Sequence, residues 1–170
     1  GEIHDIWPLS LIELYHLNSK NPYMASLQRA ENYAYKNADM VISILPHVNR
    51  HIEKLGFYNV KYVHVPNGIV TDEVSFQPVP ETVVKELSLL KEKGKFILMY
   101  LGGFSKANAI DDLMSAADSM PNQVQIVLIG DGPLKTEYEN KLVQAEINNI
   151  TILPPVKKLQ VNHTLSLADA

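Results

Sequence analysis

The feature that most constrains the fold is an alternation of short apolar runs with amphipathic stretches, which begins at Lys95. The apolar runs are residues 96–101, 124–129 and 150–153, and each has the length of a buried strand. Strands that alternate with helices in this way are typical of βαβ units and a parallel sheet. The sequence therefore predicts an α/β fold class, with a Rossmann-like parallel sheet and flanking helices.

Apolar residues at helical spacing predict the helices beside these strands. The four stripes are Val83, Val84, Leu87 and Leu90; Ile110, Leu113, Met114 and Ala117; Leu134, Tyr138, Leu142 and Ala145; and Val161, Leu165 and Ala168. We expect Asn108 to cap the second helix, with Asp111 and Asp112 in its first turn, where the helix dipole favours carboxylates. The last helix is expected to begin near Lys158.

The first part of the chain has a different organisation. The expected elements are a helix at 24–37, a short strand within 38–45, a helix with Val48, Ile52 and Leu55 on one face, and a strand at 61–65. Gly56 suits the C-terminal cap of the second of these helices. A loop at 71–80 with two prolines predicts a boundary between residues 1–71 and 72–170.

Composition narrows the function classes. Of the 170 residues, 46% are hydrophobic, which is enough to bury a core. The formal net charge of -4 comes from interspersed signs without a run of Lys or Arg, which argues against nucleic-acid binding. The absence of cysteine excludes disulfides and thiolate metal sites, and fits a cytoplasmic location.

The lengths of the apolar runs and the two ends of the sequence indicate whether the chain crosses a membrane and whether it is part of a longer protein. The apolar runs are far shorter than the roughly 20 residues that cross a bilayer. The chain begins with Gly1 rather than Met and lacks a signal-like apolar core, and residues 165–170 end a helix where another strand is expected. We therefore expect the chain to be an internal piece of a longer protein.

Ligands of open α/β sheets bind beyond the carboxyl ends of the strands, where loops lead into helices. The loop after residues 96–101 contains Gly102, Gly103 and Lys106. The glycines let backbone N–H groups approach an anion, and the lysine supplies positive charge. This combination predicts a phosphate-binding loop, although a plain strand-end turn fits the residues equally well.

Two further loops are expected at the same edge of the sheet. Gly130, Asp131 and Gly132 precede a proline that can start a helix, a pattern that by itself favours a tight turn. Pro155 and Val156 follow the third strand, where the prolines present rigid backbone.

Histidines suggest other kinds of site. His47 and His51 have the i, i+4 spacing of a zinc-binding pair, but no third ligand is apparent, so a solvated helix face is the favoured interpretation. His4 and Asp5 beside Trp7 form either a polar patch at a cleft or a strand-end turn with a packed indole. We assign no catalytic role to them.

Seven short motifs follow one another along nearly the whole chain. They are His4-Asp-Ile-Trp-Pro8, Ala38-Asp-Met-Val-Ile42, Val65-Pro-Asn-Gly-Ile69, Tyr100-Leu-Gly102, Leu128-Ile-Gly-Asp-Gly-Pro133, Asn149-Ile-Thr-Ile-Leu153 and Ala168-Asp169. In this order they resemble the retaining glycosyltransferase family 4, the group 1 glycosyltransferases of GT-B fold. The first motif and the region of Lys106 resemble the subgroup that adds amino sugars or deoxysugars in bacterial surface polysaccharide synthesis.

The resemblance implies two Rossmann-like domains facing each other across a cleft. Residues 1–71 would be the C-terminal portion of the acceptor-side domain, and residues 72–170 the first half of the donor-binding domain. Gly102, Gly103 and Lys106 would lie by the donor diphosphate; Gly130, Asp131 and Gly132 would line the cleft; Pro155 and Val156 would offer backbone to the nucleobase. No metal or cofactor is implied, because lysine, arginine and helix N-termini would stabilise the leaving diphosphate.

The implied parent protein transfers a sugar from a nucleotide-diphosphate-sugar donor to a glycan or lipid-linked acceptor with retention. The resemblance places this reaction in polysaccharide or lipopolysaccharide biosynthesis, in the cytoplasm or at the inner face of the membrane. Many members carry Arg and Lys where this chain has Gly103 and Asn108. Two interpretations stay open: either Lys106 substitutes for them, or the donor diphosphate is held more by backbone N–H groups than by side-chain charge. The catalytic residues stay unassigned and are expected outside this chain, which alone should be inactive.

Two alternatives remain open at this point. One is a non-catalytic Rossmann-like module that binds a nucleotide or a partner protein, and the other is a sugar-nucleotide epimerase of the same architecture. We also expect a sheet that stops before its last strands to expose an edge through which two copies of the chain dimerise.

Overall fold

The structure, a computed structural model, describes residues 1–68 and 77–170. The chain divides into two compact units, Gly1–Val70 and Thr71–Ala170. The boundary expected at residues 71–72 and Ile69 of the third motif lie outside the described residues. Among the helices of the described ranges, none combines the length and the apolar character that a membrane span requires.

The first unit contains a small parallel sheet. Its elements are β1 (Glu2–Ile3), α1 (Leu9–Tyr15), α2 (Pro22–Asn37), β2 (Val41–Ser43), α3 (Val48–Lys54) and β3 (Tyr62–His64). β2 is the central strand and pairs in parallel with β1 and with β3. The buried core consists of Tyr35 from α2, Val41 from β2, and Val48 and Ile52 from α3.

Local sequence signals set the ends of these helices. The Asn21 side chain accepts a hydrogen bond from the Tyr23 N–H at 2.9 Å, and Pro22 lies in the first turn, where its missing N–H costs nothing. Gly56 follows α3 with a φ of 90°, the left-handed conformation of a C-terminal cap. The apolar patterns of the sequence do not single out α1, and none of its residues is buried.

The second unit is larger and has longer strands. Its elements are α4 (Glu81–Glu92), β4 (Phe96–Gly103), α5 (Ile110–Ala117), β5 (Val124–Asp131), α6 (Lys135–Gln144), β6 (Ile150–Leu153) and α7 (Val161–Leu165), with short 3-10 turns at Lys106–Asn108 and Lys158–Gln160. β5 pairs in parallel with β4 on one side and β6 on the other. The predicted α/β class with parallel sheets is therefore confirmed.

Helices cover both faces of the second sheet. Alternate residues of β5 point to opposite faces and so pack in two different cores. Ile126 and Leu128 pack in a core with α5 and α6, to which Tyr138 of α6 contributes. Val127 and Ile129 pack in a second core with Val83 and Leu87 of α4, together with Ile97 of β4. These four residues in the middle of β5 are fully buried, as expected for a central parallel strand.

The outer edge of β4 is also paired. The N–H groups of Asp169 and Ala170 donate to the Ile97 carbonyl at 3.0 and 3.2 Å, and the Met99 N–H donates to the Ala170 carbonyl at 2.7 Å. The Asp169 carboxylate accepts from the Ile97 N–H at 2.8 Å. This is a parallel register, so α7 carries the chain from β6 across to the far side of β4.

Several sequence predictions need correction at the level of single residues. Asn108 does not cap α5; the capping position belongs to Ala109, whose φ is 49°, and Asn108 ends the preceding 3-10 turn. Val84 does not share the buried face of α4, since its side chain is exposed while Val83 and Leu87 are buried.

The strands of the second sheet also run further than predicted. Gly102 and Gly103 are the last residues of β4, and Gly130 and Asp131 are the last residues of β5, rather than loop residues. The cause is mutual pairing, because the glycines of the two strands hydrogen-bond as neighbours and extend the ladder.

Candidate functional site

The carboxyl ends of β4 and β5 lie side by side. Gly102 pairs with Gly130, and Gly103 pairs with Asp131. The chain enters the sheet at β4, adds β5 and β6 on one side, and returns to the other side of β4 with Asp169 and Ala170. The strand order therefore reverses at β4, and such a reversal is where open α/β sheets bind their ligands.

Two glycines allow the loops at this edge to approach each other. A Cβ atom on Gly130 would overlap the Gly102 carbonyl oxygen, and one on Gly132 would overlap the Phe104 carbonyl oxygen. Both neighbours are backbone atoms: the Gly102 carbonyl belongs to β4, and the Phe104 carbonyl accepts a hydrogen bond from Leu134 in the loop that follows, so neither can move aside freely. Glycine is therefore needed at positions 130 and 132 because the backbone there packs closely against the backbone of Gly102 and Phe104.

Phe104 anchors the loop that follows β4. Its ring is fully buried and packs edge-to-face on Tyr138 with 6.1 Å between ring centroids. Its N–H donates to the Asp131 carbonyl at 2.9 Å, and its carbonyl accepts from the Leu134 N–H at 3.2 Å. The loops after β4 and β5 are consequently one hydrogen-bonded unit.

The carbonyl of Gly103 is held by two side chains. The Tyr100 hydroxyl donates to it at 3.0 Å, and the Asn108 side-chain amide donates to it as well. Burial raises the pKa of Tyr100, so its hydroxyl keeps its proton and remains a donor at neutral pH. The Asn108 amide also reaches the Ser105 hydroxyl at 3.2 Å, which ties the end of the 3-10 turn to its start.

Lys106 lies in this turn with an exposed side chain. A hydrogen bond from Lys141 lowers the pKa of Asp111, with a further contribution from the charge of Lys106. Asp111 lies in the first turn of α5, so Lys106 brings positive charge to the region between the glycine pair and that helix.

The third predicted loop follows β6 at the same edge of the sheet. Pro155 is exposed, whereas Val156 packs against the core that contains α4. The Gln160 side chain accepts from the Lys157 N–H at 2.9 Å and donates to the Pro78 carbonyl at 2.7 Å, which fixes the segment after Val156. All eight predicted site residues thus lie at or just beyond the carboxyl ends of three parallel strands.

The histidine pair has a different role from the one expected. His51 is largely buried, and its Nε2 lies 2.7 Å from a carboxylate oxygen of Glu31, so the interpretation as a solvated helix face is wrong for this residue. The described residues contain no group of three or more His, Asp or Glu side chains that could hold a metal ion. His4 lies 3.0 Å from Glu2 on the surface.

The sequence did not single out Tyr100, Phe104 and Asn108 as supports of the loop. Tyr100 is part of a quoted motif, but nothing in a linear pattern indicates that its hydroxyl turns toward the carbonyl three residues later. Of these three residues, only Phe104 could have been predicted from the sequence. A large aromatic side chain is costly to leave exposed, so the Phe104 ring is expected to be buried even though it follows a glycine pair.

A parallel sheet with helices on both faces, a reversal of strand order and glycines at the strand ends defines the class of Rossmann-like α/β sheets. No family model matches the chain. The chain is 22% identical over 172 residues to the probable glycosyltransferase WbjE of Pseudomonas aeruginosa, which covers 98% of the chain and 42% of that protein.

Two solved structures share the fold. The crystal structure of Anabaena Alr3699/HepE in complex with UDP and glucose gives a TM-score of 0.69 at 18% identity, over 99% of this chain and 44% of that chain. The crystal structure of WaaG, a glycosyltransferase involved in lipopolysaccharide biosynthesis, gives a TM-score of 0.63 at 14% identity, over 98% of this chain and 47% of that chain. The chain therefore spans less than half the length of these relatives.

The resemblance to group 1 glycosyltransferases of GT-B fold, which the motifs predict, is confirmed by these comparisons.

Proposed function

We propose that this chain contributes the nucleotide-diphosphate-binding part of a glycosyltransferase. The observation that carries the proposal is the reversal of strand order at β4, whose carboxyl end holds Gly102 and Gly103. Glycines at this position give a diphosphate access to backbone N–H groups. Lys106, exposed in the turn that follows, supplies a positive charge beside them.

The remaining assignments follow the same edge of the sheet. In this proposal Gly132 extends the wall of the site beyond β5, while the backbone at Pro155 and Val156 contacts the nucleobase. Lysine and backbone N–H groups, without a metal ion, stabilise the leaving diphosphate, since preorganised charge of this kind is usually the largest contribution to catalysis.

The whole protein, of which we take this chain to be a part, transfers a sugar from a nucleotide-diphosphate sugar to a glycan or lipid-linked acceptor. The proposal includes retention of configuration and a role in polysaccharide or lipopolysaccharide synthesis in the cytoplasm or at the inner face of the membrane. Residues 1–68 then belong to the acceptor side and residues 77–170 to the donor side. The names of the relatives support these proposals: one structure contains UDP and glucose, and another protein acts in lipopolysaccharide biosynthesis.

The test is a titration of the chain with UDP, GDP and UDP-glucose, followed by amide NMR. We expect the largest shifts at Gly102, Gly103, Lys106 and Gly132. Gly94 is the internal control, because it precedes β4 and lies at the opposite end of the strand.

The outcomes separate the proposal from its alternatives. Shifts confined to the carboxyl ends of β4 and β5 support the donor site and identify the base. Equal shifts at Gly94, or none at any of these glycines, contradict it. A module that binds only a protein partner predicts no nucleotide-dependent shifts, whereas an epimerase predicts conversion of the bound sugar nucleotide by the whole protein rather than transfer.

A further inference from the structure

The Gly103–Phe104 peptide group is held by three hydrogen bonds. Its N–H, on Phe104, donates to the Asp131 carbonyl at 2.9 Å. Its carbonyl, on Gly103, accepts from the Tyr100 hydroxyl at 3.0 Å and from the Asn108 side-chain amide. A peptide group with partners at both ends cannot flip, although the neighbouring glycine would otherwise permit it.

The two donors reach the carbonyl from different directions along the chain. Tyr100 lies within β4, and its ring packs 6.4 Å from the buried ring of Phe104, so the strand itself positions the hydroxyl. Asn108 lies at the end of the 3-10 turn, so its amide connects that turn back to the glycine pair. The bond from Asn108 closes the loop from Gly103 to Asn108, and the bond from Tyr100 ties the start of that loop to β4.

Gly102 belongs to the same arrangement. A Cβ atom at this position would lie 2.6 Å from the Tyr100 hydroxyl oxygen. The glycine therefore leaves the space into which the hydroxyl turns on its way to the Gly103 carbonyl. The motif Tyr100-Leu-Gly102 thus contains both the donor and the gap that admits it.

We propose that Tyr100 and Asn108 are positioning residues for recognition of a diphosphate. They fix the backbone of the loop before the ligand arrives, so that binding does not have to order it. Asn108 fulfils this role with a hydrogen bond inside the loop and contributes no positive charge to the ligand. This inference rests on the function proposed above and adds to it the residues that shape the diphosphate subsite.

The test compares UDP and UMP binding to the chain and to the variants Tyr100→Phe and Asn108→Ala, by calorimetry or NMR titration. Both ligands share the base, and only UDP has a second phosphate. We expect each variant to bind UDP about fivefold more weakly, the loss of one hydrogen bond, while its affinity for UMP changes by less than about twofold. A merely structural defect would weaken both ligands alike, so the UDP-to-UMP affinity ratio isolates positioning.

Matched controls remove one hydroxyl or one amide elsewhere. Tyr58→Phe alters a tyrosine that is 77% exposed, and Asn148→Ala alters an exposed asparagine, and neither residue belongs to the loop. Both controls should keep the ratio of the unsubstituted chain. Tyr100→Phe is also the safeguard against unfolding, because it retains the ring that packs on Phe104.

Two negative results have different meanings. If the unsubstituted chain binds UDP more tightly than UMP and both variants keep that ratio, the positioning role is refuted and the proposed function stands. If the unsubstituted chain shows no preference for UDP, the donor site is refuted and the positioning role with it.

Discussion

The two sheets of this chain are both parallel, but they differ in the length of their strands and in how completely those strands are buried. In the second unit β4 and β5 are eight residues each, whereas no strand of the first unit exceeds three residues in the described range 1–68. β5 is buried on both faces, while Ile42, in the middle of β2, is 39% exposed. The same parallel architecture therefore encloses two apolar cores in one unit and a smaller core of four buried residues in the other.

A second contrast concerns how each unit binds a buried tyrosine to a carboxylate. In the first unit the Tyr35 hydroxyl donates to Glu31 at 2.8 Å, and the Glu31 side chain is only 7% exposed. In the second unit the Tyr138 hydroxyl donates to Asp111 at 3.0 Å, and the Asp111 side chain is 50% exposed. Where apolar area is scarce, the first unit relies on a buried polar network; the second places its carboxylate at the surface.

The largest effect is expected from Phe104→Ala. Removal of a fully buried ring from the larger core should lower the free energy of unfolding of the second unit by about 4 kcal/mol. Phe96→Ala, in the same strand-and-loop region but half-exposed, is the matched control and should cost much less. Urea unfolding followed by circular dichroism measures both, and equal losses would contradict the anchoring role of Phe104.

A similar but smaller loss is expected from Gly130→Ala. The added methyl group would overlap the Gly102 carbonyl oxygen, so the ends of β4 and β5 must separate, at a cost of about 3 kcal/mol. Gly68→Ala in the first unit has no heavy atom within 4 Å and should leave stability unchanged. An unaltered unfolding midpoint for Gly130→Ala would show that the two strand ends are not in contact.

Glu31→Gln tests the buried network of the first unit. The carboxylate accepts from Tyr35 and from Gln28 on different oxygens, and an amide has only one acceptor oxygen. At least one of the two donors then loses its hydrogen bond to residue 31, so we expect a loss of about 2 kcal/mol, confined to the first unit. Glu53→Gln, on the exposed face of α3, serves as the comparison, and thermal unfolding of both variants gives the result. Equal stability of the two would mean that the network contributes nothing beyond solvation.

The smallest effect is a dependence on alkaline pH. Burial, with the hydrogen bond to Asp111, raises the pKa of Tyr138 to about 12, above the value near 10 of an unfolded tyrosine. Because the folded state holds this proton more tightly, the contribution to stability is complete below pH 10 and is lost as pH rises toward 12. Unfolding midpoints from pH 8 to 12 should therefore fall less steeply for Tyr138→Phe than for the unsubstituted chain. Parallel curves would contradict the raised pKa.

The sequence predicts the elements of this fold well where periodicity is strong. The strands at 96–101, 124–129 and 150–153 are all present, because continuous apolar runs have few other buried conformations. The sequence patterns miss α1, none of whose residues is buried, and they place Val84 on the wrong side of α4. The spacing of apolar residues predicts a helix because one face of the helix is buried. It therefore fails where a short helix has no buried residue or where an apolar side chain is exposed.

The candidate site likewise has parts that the sequence predicts and parts that only the folded structure shows. Composition and spacing alone identify the glycines that follow the apolar runs, because few residues other than glycine let two backbones approach so closely. The amide of Asn108 is different: its position predicts a helix cap, and only the folded loop turns it toward the Gly103 carbonyl. The sequence also contains no sign that Asp169 and Ala170 return to the outer edge of β4. Strand order, side-chain direction and the last residues of β4 and β5 depend on contacts between residues far apart in the chain, whereas the apolar run within each strand depends on residues that are neighbours in sequence.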